Sequence, residues 1–437
     1  MVKKIVRIIA IVIVSIILVN IILFITLSIP ALQKKAAGIA MDKLRPLIGT
    51  DASLDGIRIR LFNTVELNGL YVEDRQQDTL LYVERLTARI LPLDLLRNSV
   101  TLRKAGMENF VAHVHRASPE EPFNFQFIID AFAKEKDTTV VKVKKPWRIT
   151  ADDVVLKNGT LRYDVRSVAP TPGQFNAAHL DLHQFNFRGK ADFLSIADMK
   201  ARVELLTFHE HNAGITLHNL KTEMLGKGPL ISSDRLEILL NHTDIIVTDA
   251  RYDRKTKAFA VRAASEHTDP GDVALFTDRF AQLNKPLSFE VDAEGELPQA
   301  ILRNLRLQYG SDTRIDASGT ISDYSRYDNS ELTVDVQHLS VSQEDLEAFI
   351  RVGAPDYASP EQLLALGHLE LQLHARGRLD NFRYDGMVQT EQGDVAMDGT
   401  GRITNQFKHM VFEGPVIYNW PISSVRRPAW AMPPCVP

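Results

Sequence analysis

The sequence is poor in cysteine and has no excess of positive charge. Its 437 residues contain a single Cys, Cys435, which cannot form an internal disulfide, so a small disulfide-stabilised domain is excluded. The 51 basic residues are outnumbered by 55 acidic ones, and the net charge is −4. A nucleic-acid-binding protein normally has the opposite balance or a concentrated basic face. With only 23 Gly and 20 Pro, the chain is also neither a collagen nor a low-complexity disordered polymer.

Sequence motifs of the common enzyme classes are absent as well. There is no G-x-S-x-G, phosphate-binding loop, H-E-x-x-H or closely spaced cysteine pair. Two His-x-His pairs, His113/His115 and His209/His211, could each direct two imidazoles to one face of a strand, but a metal would need further ligands. We interpret these histidines as surface or polar-face residues. We therefore predict a protein that is not an enzyme and has no metal and no other cofactor. A hydrolase or metalloenzyme that uses the histidines is the least favoured alternative.

The sequence does contain one long apolar run. Residues 8–29 carry no charge, and at about 1.5 Å per residue they form about 33 Å of helix, enough to cross a hydrocarbon core of about 30 Å. A cleavable signal peptide usually has a shorter run that ends at small residues. We therefore predict a permanent single-pass transmembrane anchor. Lys3, Lys4 and Arg7 precede it, and the positive-inside rule keeps residues 1–7 in the cytoplasm and the rest of the chain on the other side.

A helical pattern follows the anchor in residues 30–49. Apolar residues recur at helical spacing on one side, and basic residues occupy the other. Two interpretations are open: an amphipathic helix that lies on the membrane, or a first helix that packs against the next domain. The apolar residues are Leu32, Ala36, Ile39, Ala40, Leu44 and Leu47, and the basic ones are Lys34, Lys35, Lys43 and Arg45.

Beyond residue 50 the period changes from helical to alternating. Apolar and polar residues alternate in many short segments up to residue 413, which is typical of half-buried antiparallel strands. We predict a mainly β fold for residues 50–413, an elongated antiparallel groove of repeating strands with short helical insertions. The apolar residues of five segments are predicted to line this groove. They are Ile57, Ile59 and Leu61; Leu287, Phe289 and Val291; Leu305 and Leu307; Leu332, Val334 and Val336; and Leu369, Leu371 and Leu373.

Turns between these strands are predicted at four dipeptides that accept positive φ. Such dipeptides suit tight hairpins, so consecutive strands should pair as a meander. A faint internal repeat, in which residues 310–321 resemble residues 393–403, also favours an array of similar strand units. The four dipeptides are Asn68-Gly69, Asn158-Gly159, Asp385-Gly386 and Asp398-Gly399.

Short helices are predicted among the strands. A capping box formed by Ser342 and Asp345 begins one helix, and residues 359–367 and 271–283 are predicted to form two others. The phenylalanine-rich segment 123–132 is interpreted as a packing plug of a core.

Two segments are predicted to lie outside the regular fold. Residues 134–145 carry charges of both signs and resemble a solvated linker. Residues 414–437 contain six Pro and two of the three Trp, without alternation. We interpret this end as an irregular tail that comes from a truncated reading frame rather than from a native terminus.

Several blocks of the sequence resemble a known family. Residues 59–90, with the phrases Phe62–Asp74 and Asp78–Val83, are similar to the start of TamB-like proteins of the AsmA superfamily from Bacteroidota-type bacteria. The segment Phe123–Phe132 resembles a second recurring block, and Leu206–Glu210 resembles a third. Together with the anchor, the blocks cover roughly residues 1–410, in the family's order, and the chain resembles an N-terminal fragment of a longer protein.

The resemblance implies a place and a role. It implies a protein of the bacterial inner membrane whose periplasmic body is a β-taco, a sheet curled into a groove lined with apolar side chains. Members work with TamA, an outer-membrane barrel of the Omp85 class, in outer-membrane protein translocation and assembly, and the superfamily is associated with phospholipid movement between membranes. The expected partners are thus the inner membrane, phospholipid acyl chains and an Omp85-class barrel, and no nucleic acid.

Two functions from different classes remain open. The first is an anchored scaffold and conduit that carries phospholipid along the groove and supports outer-membrane protein assembly. The second is a pure interaction protein, a chaperone-like partner of the barrel that presents strand edges to client strands without lipid transport.

Overall fold

A computed structural model describes residues 29–60, 64–90, 99–132, 148–195, 197–323, 325–326, 330–353, 367–404 and 409–419. The chain is mainly β, as predicted. It divides into two compact units, residues 1–228 with 238–241 and residues 229–237 with 242–437. In the described part, no helix is both long enough and apolar enough to span a membrane. The predicted cytoplasmic end with Lys3, Lys4 and Arg7, and the predicted anchor up to residue 28, lie outside that part.

The elements of both units follow in chain order. The helices are α1 (Pro30–Ile48), α2 (Gln126–Phe132), α3 (Pro270–Ala274) and α4 (Gln343–Gly353), with a 3₁₀ turn at Asp278–Gln282. The strands of the first unit are β1 (Ala52–Ser53), β2 (Gly56–Arg60), β3 (Thr64–Glu73), β4 (Thr79–Ile90), β5 (Ser99–Arg116), β6 (Arg148–Val165), β7 (His179–Ser195), β8 (Asp198–Glu210) and β9 (Ile215–Lys227). Strand β10 (Leu230–Leu240) is divided between the units. The second unit has β11 (Thr243–Asp253), β12 (Ala258–Thr268), β13 (Leu287–Glu296), β14 (Ala300–Tyr309), β15 (Thr313–Ile321), β16 (Leu332–Val341), β17 (Leu369–Arg378), β18 (Asn381–Thr390), β19 (Gly393–Thr404), β20 (His409–Glu413) and β21 (Val416–Asn419).

The first unit contains one exception to the predicted antiparallel pairing. Strands β2 to β5 and β6 to β9 pair antiparallel with their neighbours in chain order, but β5 and β6 are parallel, with Leu102 opposite Ala151 and Met107 opposite Leu156. Two parallel strands cannot be joined by a tight turn. The chain between β5 and β6, which includes α2, supplies the longer connection.

The second unit follows the predicted meander. Each strand from β11 to β19 pairs antiparallel with the next, and β20 and β21 both pair with β19. The two repeat segments, residues 310–321 and 393–403, each contain the second strand of a hairpin, β15 and β19.

The four dipeptides predicted as hairpin turns lie inside strands, so this prediction is wrong. Asn68-Gly69 is within β3, Asn158-Gly159 within β6, and the two Asp-Gly pairs within β18 and β19. In β18 and β19 the glycine is needed for space, because a Cβ on Gly386 would lie 2.5 Å from the Gln372 carbonyl oxygen and one on Gly399 2.2 Å from that of Glu413. The missing side chain therefore allows close strand contact and does not mark a turn.

The predicted helices are partly confirmed. Helix α4 begins at the predicted capping box, where the Asp345 amide donates to Ser342 Oγ at 3.3 Å. The segment 271–283 is divided between α3 and the 3₁₀ turn. Phe127 is buried in the core, which confirms the packing plug of segment 123–132. Residues 359–366 and 134–145 lie outside the described residues.

The prediction of an irregular tail is wrong for its first residues. Strand β21 occupies Val416–Asn419 and pairs with β19. Its side chains alternate little in polarity, but the backbone hydrogen bonds of β19 are enough to pair it. Residues 420–437 lie outside the described part.

Candidate functional site: the apolar face of the strands

The predicted groove residues of the second unit lie on one face. Backbone pairing places residues of successive strands directly opposite one another, and three apolar rows cross the sheet from β13 to β19. The first row is Val291, Leu305, Ala317, Val336, Leu373, Gly386 and Met397; the second is Phe289, Leu307, Ile315, Leu339, Leu371, Val388 and Val395; the third is Ala293, Leu302, Gly319, Val334, Ala375, Tyr384 and Gly399. Leu332 continues this face beyond Val334 and lies opposite Gly377.

The first unit has a similar apolar face, but the sequence pattern predicted only its first residues. Ile57 is opposite Leu67 and Ile59 is opposite Val65, while Leu61 lies outside the described residues. From Ile57 the row continues across seven strands. Its members are Ile57, Leu67, Leu86, Met107, Leu156, Phe187 and Leu206.

Among the described residues, the 3₁₀ turn and α4 pack against one margin of the second unit's face. Leu287 and Tyr309 are buried there against the 3₁₀ turn and α4, with the rings of Tyr309 and Phe349 5.3 Å apart. Most other residues of the rows are half-buried, and Val334 remains 39% exposed. Apolar side chains that are half-exposed over many strands are unusual for a monomeric surface and are typical of a binding site.

Buried carboxylates hold the helices at this margin. Asp345 of α4 is 1% exposed, accepts from Thr313 Oγ1 at 2.7 Å and pairs with Lys285 Nζ at 2.6 Å. The hydrogen bond with Asp345 raises the pKa of Lys285. Asp272 of α3 accepts from Thr243 Oγ1 at 2.8 Å in the same manner. Each aspartate lies three residues after the residue that caps its helix: Asp272 follows Asp269, and Asp345 follows Ser342. The two helices are therefore attached to the sheet by the same kind of contact.

Three neighbouring long strands of the first unit each contain a residue with positive φ in their interior. Asn109, Asn158 and Gln184 have φ of 52°, 50° and 50° in the middle of β5, β6 and β7. The side-chain Nδ2 of Asn158 donates to Asn109 Oδ1 at 2.7 Å, and the backbone N–H of Asn158 donates to Asn186 Oδ1 at 3.0 Å. We call this chain of side chains the amide ladder.

The amide ladder explains why alternation failed as a guide here. In β6, Leu156 lies opposite Met107 and Phe187, and Leu161 lies opposite Ala112 and Leu182. The two leucines are an odd number of positions apart, so the alternation shifts by one position between them, where Asn158 lies. Gly159 makes room for the Phe110 ring, which would lie 2.1 Å from an added Cβ. Such irregularities bend and twist a sheet while the strands continue.

The second unit also has mid-strand irregularities, and exposed ion pairs lie beside two of them. Register shifts occur in the pairings from β13 to β17. Arg262 bridges Asp249 at 3.0 Å and Asp292 at 3.1 Å. Asp249 has φ of 54° and lies at a register shift between β11 and β12, and Asp292 lies at one between β13 and β14. We call these three residues the ionic bridge.

One histidine of each His-x-His pair is hydrogen-bonded to another side chain. His115 Nε2 lies 3.0 Å from Asp74 Oδ2, and His209 Nδ1 lies 3.0 Å from Thr216 Oγ1. Burial, followed by the charge of nearby Arg162, lowers the pKa of His113. Within the described ranges, no group of three or more His, Cys, Asp and Glu side chains is arranged to hold a metal ion.

Asp74, the partner of His115, is itself buried and lies directly after β3. Burial by itself raises the pKa of Asp74, but hydrogen bonds from Asn124, from the amides of residues 76 and 78 and from His115 outweigh it, so the pKa lies below its ordinary value. The carboxylate is therefore a structural acceptor that ties the β3–β4 turn to the segment before α2.

The apolar rows can bind apolar chains by hydrophobic and dispersion contacts. They present a surface several strands wide rather than an enclosed pocket. No protein-family model, no curated protein and no solved structure matches the chain. The functional assignment therefore depends on this face and on the sequence itself.

Proposed function

We propose that the chain is an inner-membrane-anchored protein of envelope biogenesis that carries phospholipid along its apolar face and supports outer-membrane protein translocation and assembly. In this proposal the N-terminus is cytoplasmic, the body is periplasmic, and the strands form a β-taco groove of the TamB-like kind. The observation that carries the proposal is the continuity of the half-exposed apolar rows from β13 to β19.

The physical argument concerns the cost of exposing an acyl chain to water. Each buried CH₂ is worth about 0.8 kcal/mol, so a chain that moves along an apolar surface avoids most of that cost without covalent chemistry. Seven strands about 4.8 Å apart extend for about 29 Å across the rows. Half-exposed residues such as Val334 leave room for a ligand that a packed core would exclude.

Photo-crosslinking tests the lipid part. A photo-reactive residue at Val334 lies on the apolar face, whereas one at Asp335 lies on the opposite face of the same strand. In membranes of cells that express the full chain, we expect phospholipid adducts by mass spectrometry at position 334 and few at position 335. Equal or absent adducts at both positions would contradict lipid transport.

The final strands favour a second candidate, a scaffold or chaperone for an Omp85-class barrel such as TamA. Within the described residues β20 and β21 pair only with β19, and Phe412 and Ile417 are 56% and 69% exposed. Exposed apolar edge strands can pair with another chain. Crosslinks from position 417 to a barrel, with no lipid at position 334, would favour this function over transport.

A further inference from the structure

Helix α1 has two apolar faces rather than the single one predicted. One face packs inward: Ala37 is 1% exposed, and Met41 and Ile48 are buried against the first strands and Phe127 of α2. Arg45 Nε donates to the Ala52 carbonyl at 2.8 Å and fixes the end of the helix to β1. The interpretation of α1 as a helix packed on the next domain is therefore correct for this face.

The other face is apolar and exposed. Leu32, Ile39 and Leu47 are 37%, 54% and 49% exposed. With Lys43 they follow at intervals of seven, four and four residues, which places them on one side of the helix. Lys35 is exposed at the border of this side. We call these five residues the outer face of α1.

An extended residue precedes helix α1 at the end of the predicted anchor. The apolar run ends at Ile29, and Pro30 is the first residue of the helix. The helical region is disfavoured for a residue before proline, and Ile29 is extended, with φ −78° and ψ 119°. Helix α1 therefore starts at Pro30 and does not include Ile29.

The positive charge of α1 indicates which kind of surface its outer face can bind. Helix α1 carries Lys34, Lys35, Lys43 and Arg45 against a single acidic residue, Asp42. Leucine and isoleucine beside exposed lysines are typical of helices that lie in the interfacial layer of a membrane, with the apolar side chains about 5–10 Å deep. Lysines near anionic headgroups add to the attraction.

We infer that the outer face of α1 lies in the surface of the membrane that holds the anchor, with Leu32, Ile39 and Leu47 at the acyl boundary and Lys35 and Lys43 among anionic phospholipid headgroups. This inference rests on the anchoring in the proposed function. Because the inner face of the same helix packs against β1 to β3, the inference also places the start of the first unit's apolar row next to the bilayer.

Fluorescence in nanodiscs tests the inference. The full chain with Cys435→Ser is reconstituted in phosphatidylethanolamine and phosphatidylglycerol, and an NBD fluorophore is placed on Ile39→Cys or Gly38→Cys. Gly38 is the matched control, because it is exposed, adjacent and has nothing within 4 Å of an added Cβ. We expect NBD at position 39 to emit at shorter wavelength and to be quenched several-fold more by headgroup spin labels than NBD at position 38.

Two outcomes would overturn it, and they are distinguishable. If alkaline extraction leaves the chain in the membrane but both labels emit as in water, the inference fails while the anchoring stands. If alkaline extraction releases the chain, the anchoring and the inference fail together. The charge part is tested with Lys35→Gln/Lys43→Gln, which should lower quenching at position 39 to the level seen in pure phosphatidylcholine. Unchanged quenching in this variant would rule out the headgroup contact.

Discussion

Two interruptions of strands at mid-length, one in each unit, are stabilised by different chemistry. In the first unit, the amide ladder joins residues of positive φ through neutral side chains, Asn109 and Asn158 among them. In the second unit, the ionic bridge of Arg262 lies on exposed side chains next to shifts of register. The hydrogen bonds of the amide ladder join uncharged groups, so salt should not weaken them. Salt does screen the attraction within exposed ion pairs. The same bending of a strand can thus be stabilised locally by conformation or by charge.

The largest effect is expected at the buried charge of the second unit. Asp345→Ala leaves Lys285 and Thr313 without their shared acceptor. Losing one partner of a fully buried pair costs about 3–5 kcal/mol, and because Lys285 is partly exposed we expect about 2–4 kcal/mol of unfolding free energy here. Urea denaturation followed by circular dichroism measures it. Asp312→Ala, an exposed aspartate beside the same strand, should change little, and an equal loss in both variants would contradict the assignment.

The same pair predicts a pH dependence. The pKa of Lys285 is raised above its ordinary value of 10.5 by the hydrogen bond with Asp345. A raised pKa in the folded state means that the stabilisation is complete below the unfolded-state pKa and is lost as the pH rises through the folded-state pKa. The wild type should therefore lose more stability above pH 10.5 than Asp345→Ala does. Parallel pH profiles would show that the pair contributes nothing.

The next largest loss of stability is expected from overpacking at Gly159, beside the amide ladder. Gly159→Ala places a Cβ 2.1 Å from the Phe110 ring and should cost about 1–3 kcal/mol by overpacking. Adding Phe110→Ala should cost less in this background than in the wild type, because the clash is relieved. Urea denaturation of the four chains measures the coupling. Gly38→Ala, which meets no neighbour, is the control, and strictly additive effects would exclude the clash.

A smaller effect separates conformation from hydrogen bonding in the amide ladder. Asn158→Ala forces an ordinary residue to keep a positive φ and removes the bond to Asn109, for a loss of about 1–2 kcal/mol. Asn158→Gly accepts the same φ and should lose less. Hydrogen exchange of peptides from β5 to β7 measures the local stability. A larger loss with Gly would mean that the side-chain bonds, and not the backbone conformation, dominate.

The smallest effect is expected in the ionic bridge. Arg262→Ala should cost about 0.2–1 kcal/mol at low salt, because the side chain is exposed. The difference from the wild type should disappear at high salt, while the cost of Asn158→Ala should stay the same. Urea titrations at two salt concentrations test both statements. Salt-sensitive loss in Asn158→Ala would remove the distinction between the two units.

Local sequence patterns anticipated much of the fold but not its irregular positions. Alternation correctly placed Phe289, Leu307 and Leu371 on one face of the second unit, because each of these residues lies in a stretch of its strand that contains no shift of register. In the first unit it failed beyond Ile57, since the phase shifts inside the strands at Asn158 and its neighbours. The parallel pairing of β5 and β6 was also missed, because alternation is the same in either direction.

The sequence by itself determined the β character, the helical range of α1 and the start of α4 at Ser342, because these depend on local spacing and capping. Tertiary structure decided whether Asn158-Gly159 turns or continues a strand, and which side of α1 is buried. An Asn-Gly pair indicates that positive φ is tolerated, but it does not decide whether the chain reverses there. Leu32 and Met41 are both apolar residues of one helix, and only the position of β1 and Phe127 makes one exposed and the other core. Partners distant in the chain supply that choice, and no local pattern contains them.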